Sequence, residues 1–230
     1  FPDVQAAADT VVTIGRTLRA SMMELMDHAS INAVEDYRSM GLDRSAGALL
    51  LAQSDAPGAA CTAEIELMEA ACTTAGAKEV FITTDPEESE LFVAARRAAF
   101  PAIEARGSIL LEDVGAPVPR LPELFAGIAA IADRYSLEIP VVAHAGDGNT
   151  HPIVVYDRGD PDARIRAYRA FDEIMHLAIG LGGTITGEHG VGRAKKAALP
   201  AQLGPEVMAL SFTIKKALDP LGILNPGAIF

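Results

Sequence analysis

Ile139-Pro-Val-Val-Ala-His144-Ala-Gly-Asp147-Gly148-Asn-Thr-His151-Pro-Ile-Val-Val-Tyr156 reads as two β-prone arms, 139–143 and 152–156, joined through Asp147-Gly148. Asp-Gly between such arms is a strong short-range hairpin signal, and the surrounding glycines disfavour a helix. A two-residue turn there pairs 146 with 149, 145 with 150 and 144 with 151, and a four-residue loop from Gly146 to Asn149 preserves that pairing. His144 and His151 then become direct cross-strand neighbours on one face, with Cβ atoms roughly 5 Å apart. Two imidazoles so placed can share one divalent ion at nitrogen to metal distances of about 2.1 Å.

A histidine beside an apolar strand is ordinarily a hydrogen-bonded core residue. The reading shifts here because a second glycine-framed stretch, Gly187-Glu188-His189-Gly190-Val191-Gly192, brings one more histidine and a carboxylate. Two histidines and one carboxylate form a three-ligand set that leaves coordination positions open to substrate. Adjacent side chains on an extended segment point to opposite sides, so Glu188 and His189 are expected to do different work, one on the metal and the other facing a reacting group.

Outward from the hairpin, apolar spacing predicts a helix over residues 3–26, with Gly15 or the Ser21-Met22-Met23 junction as points where it divides. Strands are expected at 47–52, 79–84 and 107–112, and a short one at 184–186. Helices are expected at 59–75, stopped by Gly76, and after Asp85-Pro86, carrying Leu91, Phe92, Arg96 and Phe100. Further helices fall at 122–135, 162–181 and 206–218, with 118–122 extended. Such an order favours an α+β fold, a mostly antiparallel sheet covered by helices on one face, over a doubly wound one. Gly187-x-x-Gly190-x-Gly192 has its gaps in the wrong order for a dinucleotide loop.

Half of the 230 residues are apolar, enough for a sizeable core. The formal charge of −12, with no Lys/Arg run longer than two, argues against nucleic acid as a partner. Cys61 and Cys72 sit at different heights of one expected helix, too far apart for a disulfide. No apolar run approaches the ~20 residues of a membrane span. These features suit a cytoplasmic protein, and the start at Phe1-Pro2 reads as a piece of something longer.

Three segments together carry a family resemblance: His144-Ala-Gly-Asp-Gly-Asn-Thr-His151-Pro152, Gly182-Gly-Thr-Ile-Thr-Gly-Glu-His-Gly-Val-Gly192 and Leu218-Asp-Pro-Leu-Gly-Ile-Leu-Asn-Pro-Gly227. In order and spacing they resemble the C-terminal half of FAD-linked oxidases, in the glycolate oxidase and D-lactate dehydrogenase branch of the vanillyl-alcohol oxidase type. Glu24-Leu-Met-Asp27, Phe92-Val-Ala-Ala-Arg96 and Glu112-Asp-Val-Gly-Ala-Pro-Val-Pro119 agree. The resemblance implies that residues 1–186 form the α+β cap or substrate-binding domain. It also implies that 187–230, a loop, helices and tail, pack against a FAD-binding domain outside this sequence.

By the same resemblance His144, His151 and Glu188 are the ligands of a divalent metal, zinc, manganese or iron, and His189 is the general base. Arg96 binds the substrate carboxylate, and Asn225 lies near the flavin. The implied substrate is a small 2-hydroxy acid oxidised to the 2-oxo acid, with hydride passing to FAD. Association with a membrane periphery and assembly as a homodimer stay open. Relatives that take a five-carbon dicarboxylate carry a lysine and an asparagine where Leu111 and Ile153 stand here, which tilts the substrate toward glycolate or lactate. Ala228 replaces a common lysine and Phe92 a common tryptophan. Two other readings compete: a solitary metal- and ligand-binding module, and a metal-dependent hydrolase, the latter without the His-Glu-x-x-His helix it would use.

Overall fold

The structure is a computed structural model that describes residues 1–230. Six antiparallel strands form its centre: β1 (Met22–Asp27), β2 (Ala48–Gln53), β3 (Ser108–Leu111), β4 (Val114–Gly115), β5 (Val141–His144) and β6 (Asn149–Tyr156). They run in the order β2-β1-β5-β6-β3, with β4 also paired to β6. Seven helices surround them: α1 (Val4–Thr17), α2 (His28–Tyr37), α3 (Ala59–Thr74), α4 (Pro86–Glu104), α5 (Leu121–Tyr135), α6 (Pro161–Gly180) and α7 (Leu199–Leu218). The expected α+β class with an antiparallel sheet holds, and no helix is long and apolar enough to cross a membrane.

Helical cover extends to both faces of the sheet. Met23, Leu25, Val141, Ala143 and Val154 point into the larger core with α1, α3, α5 and α6. Their chain neighbours Met26, Val142 and Ile153 point the other way, into a thinner layer made with α2 and α4. This alternation is the two-residue period of a strand buried on both sides. Each fully buried aliphatic side chain, such as Leu25 or Ile153, stabilises the fold by about 1.5–3 kcal/mol. On the sheet, the fully buried apolar part of this layer ends at Met26, Val142 and Ile153. Glu24, His144 and His151 share its face beyond that limit, because Glu24 pairs with His144, His144 with Asn149, and Val142 with His151.

That register differs from the expected one. His144 and His151 are diagonal rather than direct neighbours, and the connection is Ala145–Gly148. The displacement is two residues, so both histidines keep the same face. Neighbouring segments cause it: the Gly146 N–H donates to Met23 O on β1, and Gly148 O accepts from the Ala116 N–H, so neither is free to close a tighter turn.

Other expectations change as well. The 3–26 helix ends at Thr17, and Met22–Asp27 is a strand at the sheet's interior, since alternate burial on two faces outweighs a chance helical spacing. Asp27 then caps α2, accepting from the Ser30 N–H at 2.8 Å. Residues 79–84 form no strand; Phe81 and Ile82 are exposed and Phe81 tilts against Phe92. Residues 118–120 form a 3-10 turn, and 184–186 contribute only the Gly115–Thr184 bridge. The last helix starts at Leu199 and breaks at Gly204, before the expected start at 206. Cys61 and Cys72 are both free.

Gly148 has φ +85°, and a Cβ there would lie 2.1 Å from the Ala116 carbonyl oxygen; Gly41 has φ +80° with open space around it. Gly41→Ala is expected to cost about 1 kcal/mol from the left-handed backbone alone. Gly148→Ala is expected to exceed that by roughly 2 kcal/mol, since the carbonyl must move. Urea unfolding with unchanged slope checks both, and equal midpoints would contradict the close approach.

Candidate metal centre

The two hairpin histidines meet with ring centroids 5.3 Å apart and planes at 90°. Each uses Nδ1 in the same way. His144 Nδ1–H donates to Glu24 Oε1 at 2.6 Å, and His151 Nδ1–H to the Glu112 carbonyl at 3.3 Å. A carboxylate and a carbonyl accept but cannot donate, so both rings carry a proton on Nδ1, and in the neutral imidazole this leaves the Nε2 lone pair facing outward. Nε2 of His144 lies 3.6 Å and Nε2 of His151 3.3 Å from Glu188 Oε1. All three ligand atoms fall within 4.8 Å of one another. Ligands held at ~2.1 Å in a tetrahedron are about 3.4 Å apart, so this donor set fits one divalent ion with a position left open.

Glu188 is brought to the histidines by a buried carboxylate. Asp113, between β3 and β4, accepts from the Thr186 hydroxyl at 2.8 Å and from the N–H groups of Gly187, Glu188 and His189 at 2.9, 3.0 and 2.8 Å. Burial acts to raise its pKa, but the His189, Thr186 and Glu188 hydrogen bonds and the charge of Lys195 prevail and hold it at about 2. Lys195, itself buried, donates to Asp113 O, Ile185 O and Glu112 Oε2 at 2.8, 2.7 and 2.7 Å. Burial pushes Glu112 up to about 7 against that ammonium. The His151 imidazole is held below its usual range, chiefly by burial.

Asp113, His151 and His189 also lie close enough to make a second triad. Asp113 is a poor ligand, however: its Oδ2 is filled by the four loop donors, and its Oδ1, which shares the Glu188 N–H at 3.2 Å, is 3.9 Å from the His151 nitrogen that faces Glu112. Its part is to shape the loop.

His189 stacks on His151 at 5.0 Å, and its Nε2 is 3.5 Å from Glu188 Oε1. The strict alternation expected of an extended Glu188-His189 pair does not hold: the loop curls around Asp113, and both side chains reach the same cluster. Arg96 of α4 joins the site through Glu24, with Nε donating to Oε2 at 2.9 Å, whereas Arg97 is exposed and pairs with Glu90. Asn225 is not gathered there. It is exposed in the tail at φ 47°, in a stretch tied back by Ile229 N–H to Gly192 O. A cleft of ≈ 580 Å³ flanks His144, walled by Arg19, Met22, Met23, Glu24, Asp55 and Asp147 among others.

Glu24, Glu112, Asp113 and Lys195 carry no assigned role in the sequence reading. Glu24 fell inside an expected helix, and nothing in local spacing marks a lysine 82 positions from Asp113 as its partner. The adjacent acids Glu112-Asp113 beside an apolar strand were the available signal.

Residues 1–229 match the family described as FAD linked oxidases, C-terminal domain. The chain is 37% identical over 232 residues to glycolate oxidase subunit GlcD of Bacillus subtilis, covering 100% of itself and 49% of that protein. It is 30% identical over 233 residues to the mitochondrial D-lactate dehydrogenase [cytochrome] of Arabidopsis thaliana, covering 41% of it. The chain thus spans about half the length of the curated relatives it matches. Among solved structures, 4-ethylphenol oxidase from Gulosibacter chungangensis shares the fold, with a TM-score of 0.68, 17% identity, and coverage of 98% of this chain and 51% of that one. A match over all but the last residue, together with these relatives, leads to one conclusion: the chain belongs to the FAD linked oxidases, as their C-terminal domain.

Proposed function

We propose that this chain is the substrate- and metal-binding part of a flavin-dependent D-2-hydroxyacid dehydrogenase that oxidises glycolate or D-lactate to the 2-oxo acid. The observation that carries the reading is the convergence of His144 Nε2, His151 Nε2 and Glu188 Oε1, with both Nδ1 atoms held from behind. Acceptors in that position fix the tautomer and raise ligand basicity. Zinc, manganese or iron held by these three residues would lower the pKa of the 2-hydroxyl, and FAD, bound mainly by a domain outside this chain, would take the hydride from C2.

Within the chain, His189 is suited to take the hydroxyl proton at Nε2, being half exposed and beside the ligand cluster. Arg96 has its Nε committed to Glu24, which leaves Nη1 and Nη2 for the two carboxylate oxygens. Leu111 and Ile153 are cross-strand partners and offer no donor to a second carboxylate, which supports a monocarboxylate. We assign residues 187–230 to the face that meets the FAD-binding domain, with Asn225 on the flavin side. Exposed Leu210, Phe212, Leu218, Leu221 and Ile223 support this, since a run of large apolar side chains in water marks a contact surface. A cytoplasmic protein, peripheral to a membrane at most, completes the reading.

Metal analysis tests the ligands. The purified chain is expected to load close to one equivalent of zinc, while His144→Ala and His151→Ala each lose it; retention by both variants would refute the assignment. Asp113→Asn leaves the ligands in place but weakens their frame, and zinc affinity should fall about 10–100-fold. For the base, the chain joined to a FAD-binding half is assayed by dye reduction with D-lactate. His189→Asn should lower kcat about 10²–10⁴-fold with zinc content unchanged, and a loss below threefold would remove His189 from that role.

A further inference from the structure

Glu24 stands on β1 directly opposite His144 of β5, and its two oxygens have different partners. Oε1 accepts from His144 Nδ1–H at 2.6 Å, while Oε2 accepts from Arg96 Nε–H at 2.9 Å. The Glu24 and Arg96 side chains are only 13% and 15% exposed. An ion pair this far from water gives back much of its attraction as desolvation, so stability alone is a weak reason for its presence. Its geometry has another consequence: one carboxylate sets both the ring orientation of His144 and the plane of the Arg96 guanidinium. Arg96 approaches from α4 and His144 from the hairpin, 48 residues apart in sequence, and Glu24 is their common partner.

We infer that Glu24 is a positioning residue that couples Arg96 to His144, so that the carboxylate-binding and metal-binding halves of the site are set together. The inference rests on the roles proposed above for those two residues. Were a cation held at His144 Nε2, the Nδ1–H would become a stronger donor and would hold Glu24 in its present rotamer, which would in turn hold Arg96 with Nη1 and Nη2 free. By linkage, whatever orders Arg96 favours the same Glu24 rotamer and the metal-ready ring.

The test starts with zinc affinity of the 230-residue chain, measured by competition with a chromophoric chelator, and with nitrogen NMR of the His144 ring. The inference expects a single Nδ1–H tautomer in the native chain. It expects Glu24→Ala to mix the tautomers and raise the zinc Kd about 10–100-fold. Glu24→Gln keeps an acceptor for His144 and covers the case in which Glu24→Ala does not fold. It should hold the tautomer and stay within about fivefold of the native zinc Kd, yet lose the charge that orients Arg96. Joined to a FAD-binding half, Glu24→Gln should then raise KM for D-lactate about tenfold while kcat falls less than threefold, as Arg96→Ala does more strongly.

Mixed tautomers in the native chain, or a zinc Kd within twofold of native in Glu24→Ala, would overturn the inference. So would a KM that rises in Arg96→Ala but is unchanged in Glu24→Gln. Failure of the underlying ligand reading looks different: His144→Ala would then bind zinc as the native chain does.

Discussion

Four donors, the Thr186 hydroxyl and the N–H groups of Gly187, Glu188 and His189, close on the single carboxylate of Asp113 at 2.8–3.0 Å. An isolated buried carboxylate would be expensive, and an isolated loop of this composition would have no preferred shape. Each removes the other's difficulty. The carboxylate stays ionised because the donors surround it, and the loop is held because its N–H groups have one place to go. From that arrangement follow the placement of Glu188 beside two histidines and the stacking of His189 on His151.

The same economy extends one residue back along the chain. Glu112 turns its side chain to Lys195 and its carbonyl to His151, so the Glu112-Asp113 pair connects the buried ammonium, the loop and one hairpin histidine. A buried ion pair of this kind is weak evidence of added stability, and removing one partner would strand the other's charge. What it supplies is a fixed distance between the loop and the sheet. Gly187 adds to the fit, since a Cβ there would lie 2.3 Å from the Asn149 side chain on β6. On the opposite side, Glu24 holds His144 from β1. The candidate site is thus the polar end of this sheet face, framed by carboxylates on both sides.

Much of this was legible locally. The hairpin, the shared face of His144 and His151 and most helices followed from turn chemistry and period, and the choice of Glu188 as their companion from the family resemblance. The register did not, because it depends on where Gly146 and Gly148 place their backbone groups, and their partners lie more than a hundred and some thirty residues away. Strand β1 was hidden for a related reason: Met22–Asp27 is buried on both faces, so its apolar residues follow no simple alternation and imitate a helix. The exposed 79–84 segment shows the reverse, a β-like composition with no neighbouring strand to pair with.

The sequence by itself determined the inventory: which ligand types exist, that two histidines share a face, and, through motif spacing, the family. Those properties are carried by residues near one another along the chain, where backbone geometry alone relates them. Tertiary structure decided how the inventory is used. It curled the loop around Asp113 Oδ2, which sets Glu188 Oε1 beside Nε2 of both histidines. It bound Arg96 to His144 through Glu24, and it left Asn225 apart in the tail. These outcomes depend on which buried charge finds which partner across the sheet, and only the folded chain brings those partners together.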